Sequence, residues 1–272
     1  MRTQYSPTRR GAMLAAMAVG AAGRRTLAEP ASASDVWPVL AAQIFNSRSI
    51  GDGRGVLEIE APYRAEDAAV VPITMRIMAP AADARAVERI TLVIDENPSP
   101  VAATFILGAN SGIQSLSTRI RVDSYTNVHA VAALAGGDLY AVDRFVKAAG
   151  GCSAPAAKQE ADSIPLGTMR FRQFSGDPTA KAREVQLLIR HPNYSGMQMN
   201  QVTRLYVPAH FVSTVRIWQG DELLLGVESG ISISENPEFR FDYRPNGAAE
   251  FRAEVQDSEG KSFKESWSTA RA

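Results

Sequence analysis

Short runs in which apolar and polar residues alternate one by one set the tightest limit on what this chain folds into. Ile73, Met75 and Ile77 alternate with Thr74 and Arg76, and Ile90, Leu92 and Ile94 enclose Thr91 and Val93. Thr118, Ile120 and Val122 alternate with Arg119, Arg121 and Asp123. The second half repeats the pattern in Val185, Leu187 and Ile189, in Phe239, Phe241 and Tyr243, and in Phe251, Ala253 and Val255, with Phe263 and Trp267 on a last run. A period of two places successive side chains on opposite faces of a strand, so each run predicts a strand with one buried face. Gly, Pro, Asn or Asp bounds each run, as short strands require. Gly51-Asp52-Gly53 and Gly136-Gly137-Asp138 are turn signals, Asp257-Ser258-Glu259-Gly260 reads as a four-residue hairpin loop, and Gln219-Gly220-Asp221-Glu222 suggests another hairpin. Many short strands with turns every ten or so residues predict an all-β chain built from β-sandwiches.

One stretch departs from this pattern at each end of the first half. Across residues 35–47, Trp37, Leu40, Ala41 and Ile44 fall on one helical face, with Ser34 or Asp35 as N-cap and Pro38 in the first turn. From Ala148 to Glu160 the sequence AAGGCSAPAAKQE has almost no bulky apolar residue, which predicts a solvated linker rather than a core element. That linker, taken as residues 149–164, divides the chain into one sandwich over 34–148 and a second over 165–272. Ile94-Asp95-Glu96-Asn97-Pro98 and Ile233-Ser234-Glu235-Asn236-Pro237 stand at corresponding places in the two halves, which favours two sandwiches of related topology.

Residues 1–33 read as an export signal. Arg9-Arg10 follows Ser6 and Thr8 and precedes an apolar run reaching Ala22, and Pro30-Ala31-Ser32-Ala33 offers small residues for cleavage. The run is too short to span a bilayer. The paired arginines predict twin-arginine export to the periplasm, with the Sec route as the near alternative, and Arg24-Arg25 leaves the cleavage point open. Cleavage after Ala33 leaves 24 basic and 28 acidic residues, so no electrostatic footprint for nucleic acid remains.

Against that background the single cysteine, Cys152, is the most informative residue. An exported chain usually carries paired cysteines or none, and one cysteine closes no intrachain bridge. Three readings stay open: a small buried hydrophobe, an intermolecular disulfide, or a thiol kept for reaction. Its small neighbours favour the last, because Gly150 and Gly151 leave the backbone free and predict a flexible arm that carries a group to several partners. Lys147 and Lys158 lie at the edges of the linker, where positive charge favours a thiolate. His129, His191 and His210 show no metal-ligand spacing, so neither a metal site nor a cofactor is expected. Asp95, Glu96 and Glu235 flank turns and are expected in solvent, and Met197 and Met199 near a turn are expected to pack at the core or an edge. A cysteine hydrolase would need a walled pocket, and no phosphate loop or nucleophile elbow is present.

Phe145-Val146-Lys147-Ala148-Ala149-Gly150-Gly151-Cys152 resembles the end of SoxY, the sulfur-carrying subunit of the bacterial thiosulfate-oxidising system. The stretches Ile189–Pro192, Ser195–Met197, Val207–Phe211, Ser232–Pro237 and Asp257–Gly260 resemble SoxZ, its partner. In this order the chain is similar to the fused SoxYZ-like carriers associated with quinoprotein dehydrogenases. The resemblance implies two immunoglobulin-like domains and a sulfur intermediate held covalently on a swinging cysteine. By residue match Cys152 takes the carrier role and Gly150 and Gly151 the flexible half of its arm. Ser153-Ala154-Pro155 replaces the glycines that follow the family cysteine, and the arm is tethered at both ends. The expected function is therefore a periplasmic, non-enzymatic sulfur carrier. Its implied partners are redox or sulfur-processing enzymes, such as a quinoprotein dehydrogenase or a c-type cytochrome. The alternative is an accessory protein that binds such a dehydrogenase with Cys152 incidental.

Overall fold

A computed structural model of the chain describes residues 36–79, 86–155, 164–174 and 182–269. The first half begins with α1 (Trp37–Ile44) and continues through β1 (Ile50–Asp52), β2 (Leu57–Glu60), β3 (Val71–Ile77), β4 (Val87–Ile94), β5 (Val101–Leu107), β6 (Ser115–Ile120), β7 (Thr126–Leu134) and β8 (Leu139–Val146). The second half follows with β9 (Met169–Phe174), β10 (Arg183–Ile189), β11 (Val212–Gln219), β12 (Glu222–Ser229), β13 (Glu238–Tyr243), β14 (Glu250–Asp257) and β15 (Ser262–Ser268). The expected all-β sandwich architecture is observed. The alternating runs are strands whose apolar members turn inward: Val185, Leu187 and Ile189 are fully buried in β10, as are Phe239 and Phe241 in β13.

The two halves are not separate bodies. Among the described residues the strands form one nine-stranded sheet, ordered β1-β8-β7-β4-β5-β12-β11-β14-β15, and one six-stranded sheet, ordered β2-β3-β6-β13-β10-β9. Each half contributes to both layers, and the halves meet edge to edge twice. β5 pairs antiparallel with β12 from Ala103↔Ser229 to Leu107↔Leu225, and β6 pairs with β13 through Ser117↔Arg240 and Leu116↔Phe241. Pairing satisfies backbone groups that an exposed edge would leave as a template for aggregation. The approach is close enough to need glycine: a Cβ on Gly108 would lie 1.7 Å from the Leu223 carbonyl oxygen, while Gly108 N donates to Leu224 O at 2.9 Å.

One continuous apolar core fills the space between the layers. Phe105 of β5 meets Phe239 of β13 edge to face, ring centroids 6.3 Å apart, so this contact joins the two halves and the two sheets at once. Two local expectations are corrected. Gly51 and Asp52 form strand β1, paired parallel with β8, rather than a turn. The N-cap of α1 is Val36, which makes no side-chain capping bond; Ser34 and Asp35 lie outside the described residues.

A shared core makes the halves unfold together. Phe105→Ala is expected to cost about 3–5 kcal/mol, the usual range for a truncated core phenylalanine. Fluorescence of single-tryptophan variants retaining Trp37 or Trp267 should report one coincident transition in both backgrounds, and two separated transitions would contradict the shared core.

Candidate functional site

The site is built at the seam between the halves, where β6 gives out. Beyond Ile120 the chain continues as Arg121-Val122-Asp123 and runs beside two other segments. Val122 N donates to Ala68 O at 2.8 Å. On its other side Gly150 N donates to Asp123 O at 2.8 Å and Gly151 N donates to Val122 O at 2.9 Å. The stretch expected to be a solvated arm is therefore bound by its backbone as an added strand-like segment as far as Cys152. This corrects the flexible role given to Gly150 and Gly151. Gly151 is needed for close packing, since a Cβ there would sit 2.0 Å from Ala68 O and 2.7 Å from Val122 O. Gly150 has φ +79°, a conformation that other residues resist. Residues 156–163 of the expected linker lie outside the described residues.

Cys152 is fully buried and unpaired in a disulfide. It nevertheless lies outside the contiguous apolar core. Ser195 Oγ donates to the Cys152 carbonyl, and Ser195 N donates to Gln198 Oε1 at 2.9 Å. Arg121, 1% exposed, donates from Nη1 to Gly151 O at 3.2 Å and from Nη2 to Asn193 O at 3.4 Å. Asn97 ties the seam from behind, donating to Arg121 O at 2.8 Å and accepting from Asp123 N at 2.9 Å. Burial pushes the Cys152 thiol up to about 12, the Asp123 charge adds to the rise, and the Arg121 guanidinium opposes it. Docked at neutral pH, the sulfur is a protonated thiol and a poor nucleophile.

Histidines far apart in sequence meet nearby. His191 and His210 stack edge to face with ring centroids 4.6 Å apart, beside the buried Asp257. His210 Nε2 lies 2.8 Å from Asp257 Oδ2, and burial together with the His210 charge pushes His191 down to about 4. His191 Nδ1 accepts from Asn193 N at 3.1 Å, so the hydrogen of the neutral ring sits on Nε2, 3.8 Å from Asp257 Oδ2. That tautomer offers no lone pair at Nε2, which opposes a metal ion among these three groups. Sequence spacing had concealed the cluster, because β14 supplies Asp257 from far along the chain. His129 stacks on Trp37 at 3.8 Å and pairs with Asp95 at 3.1 Å, so Asp95 is buried rather than solvated. Glu235 is half-buried. Beyond Gln198 the chain projects an exposed turn bearing Val202, Leu205 and Tyr206; Met199 is exposed at its base and Met197 half-buried.

The docked arm makes two measurable demands. Gly151→Ala forces its Cβ into two carbonyl oxygens and is expected to release the arm, raising the rate at which an alkylator labels Cys152 by at least about tenfold, since one unmet buried contact of this kind is worth over 1.4 kcal/mol. Docking holds the proton more tightly than a free thiol of ordinary pKa 9.0, so its strength is full below pH 9 and fades toward pH 12. Labelling should accordingly keep climbing between pH 9 and pH 12, where that of a free thiol has levelled off; levelling at pH 9 would show that the sulfur is not sheltered.

The comparisons with known proteins divide the chain at this seam. Residues 41–152 match the family model of sulfur oxidation protein SoxY, and the match ends at Cys152. Residues 174–268 match that of sulphur oxidation protein SoxZ. The solved sulfur carrier protein SoxY from Chlorobium limicola f thiosulfatophilum is similar at 27% identity, covering 40% of this chain and 89% of its own, with a TM-score of 0.33. No curated protein matches the chain. The chain thus carries a SoxY domain and a SoxZ domain in succession, fused through shared sheets.

Proposed function

We propose that this protein is a periplasmic carrier that holds a sulfur intermediate covalently on Cys152 and presents it to partner enzymes. The observation that carries the reading is the position of the one cysteine. It closes the SoxY-matched segment, and a short backbone ladder holds it at the seam with the SoxZ-matched segment, outside the apolar core. Such a ladder opens without disturbing the interior, whereas a cysteine packed in the core does not. Docked, the sulfur is sheltered and protonated. Released, it regains ordinary thiol acidity and reaches a partner. Residues 1–33 provide the export route.

Loading with thiosulfate is a two-electron oxidation. The thiolate and the outer sulfur of thiosulfate form an S–S bond, giving Cys152–S–S–SO3−, and two electrons pass to a redox partner of the c-type cytochrome class. The protein's own part is to shelter, release and present the group. A quinoprotein dehydrogenase is the associated partner in this reading.

A second reading has one observation in its favour. Full burial of Cys152 suits an accessory binding protein in which the thiol is inert. Intact mass of protein recovered from its native compartment, before and after reduction, separates the two. A carrier shows reducible adducts on Cys152 when reduced sulfur compounds are supplied, and Cys152→Ser abolishes both the adducts and growth on those compounds. A permanently unmodified thiol together with normal growth of the Cys152→Ser strain would leave the accessory reading.

A further inference from the structure

Next to the docked cysteine, two buried hydrogen-bond donors have no acceptor among the described residues. One is Arg121 Nε and the other is Gln198 Nε2. Both side chains are at least 98% buried, and both belong to the cage around the arm. Arg121 holds the carbonyl before Cys152, and Gln198 holds Ser195, which holds the carbonyl of Cys152 itself. A buried polar group without a partner is costly, so its retention calls for an explanation. Arg119 Nε also lacks an acceptor, but Arg119 is only half-buried and pairs with Glu238, whereas Arg121 is fully buried. The bonds that Arg121 does make go to neutral carbonyl oxygens, Gly151 O and Asn193 O. The Glu235 and Asp67 carboxylates favour this buried cation only through space, and the sulfur beside it, as a free thiol, carries no charge.

Carried sulfur groups do bear charge. A persulfide is anionic near neutral pH, and a Cys–S–S–SO3− group adds three acceptor oxygens to a fixed negative charge. We propose that Arg121, together with Gln198, is the receptor for the negative charge of the group carried on Cys152, so that the docked arm fits the loaded protein better than the empty one. This rests on the carrier reading of Cys152 and adds to it a specificity: anionic sulfur adducts are retained and neutral ones are not. Charge-assisted hydrogen bonds in a site shielded from water are the strong ones, and guanidinium suits a sulfonate as it suits a carboxylate. At the sulfur itself the Asp123 charge opposes an anion more than Arg121 favours one, so the proposed fit depends on direct bonds from Arg121 Nε and Gln198 Nε2 to the charge of the carried group.

Adducts made chemically on the full chain test this without any partner. Tetrathionate transfers a thiosulfate unit: the Cys152 thiolate attacks an inner sulfur, Cys152–S–S–SO3− forms and thiosulfate leaves. Methyl methanethiosulfonate places a neutral S–CH3 group on the same sulfur and releases methanesulfinate. Each adduct is then released with dithiothreitol in native protein and in urea, and the ratio of the two rates is its protection. The anionic adduct is expected to be protected about tenfold more than the methyl one, as roughly one charge-assisted bond supplies. Arg121→Gln should erase that difference, and Arg121→Lys should restore part of it. Gln198→Glu should erase it too, because it keeps the acceptor for Ser195 and turns the donor into an anion. Equal protection of the two adducts in the wild type would overturn the inference and leave the orphan donors to water. So would a loss in Gln198→Glu that affects both adducts alike. Neither result bears on whether cells load Cys152, which the mass measurement decides separately.

Discussion

Hydrogen bonding across the seam, β5 to β12 and β6 to β13, is the constraint on which everything else in this molecule depends. Each half alone would end in open strand edges. Joining them removes those edges in both layers and merges two small cores into one. The seam also creates the functional site, because β6 ends there and its continuation, Arg121 to Asp123, is left with backbone groups to satisfy. Gly150 and Gly151 supply part of that need, and Ala68, Asn97 and Ser232 supply the rest.

A consequence is that the carrier segment is held by both halves while belonging to the core of neither. The first half provides the ladder partners at Val122 and Asp123, and the second provides Ser195. Few interactions hold the arm: backbone bonds from Gly150 and Gly151, and side-chain bonds from Arg121 and Ser195, each typically worth about 1 kcal/mol net. An element of this kind opens at far less cost than global unfolding. The chemistry follows from the same arrangement: burial suppresses the thiolate, so reactivity and release are coupled without any moving lid.

Much of the fold was legible along the chain, since alternation with period two is the imprint of a sheet with one buried face. The β10, β13 and β14 runs are buried as their spacing implied. The seam was not legible, because β5 and β12 are more than a hundred residues apart and nothing local in either names its partner. The identity of the key cysteine was readable from its neighbours, but its surroundings were not. Glycine pairs serve free motion and tight packing equally well, and only the carbonyl oxygens of Ala68 and Val122 decide between them. Arg121 was hidden for a related reason. It falls on the polar side of its alternating run, and that side would face solvent if the second half and the arm did not cover it. The meeting of His191, His210 and Asp257 was likewise a product of tertiary pairing, invisible to spacing.

Attachment at both ends gives the cysteine an unequal leash. Only five residues lie between Cys152 and Val146, the last residue of β8, whereas sixteen lie between Cys152 and Met169 at the start of β9. Fully stretched, the shorter side extends about 20 Å, and it alone sets how far the sulfur travels from its anchorage. In the carrier function proposed above, a receiving enzyme has to bring its reaction centre within that radius of the end of β8.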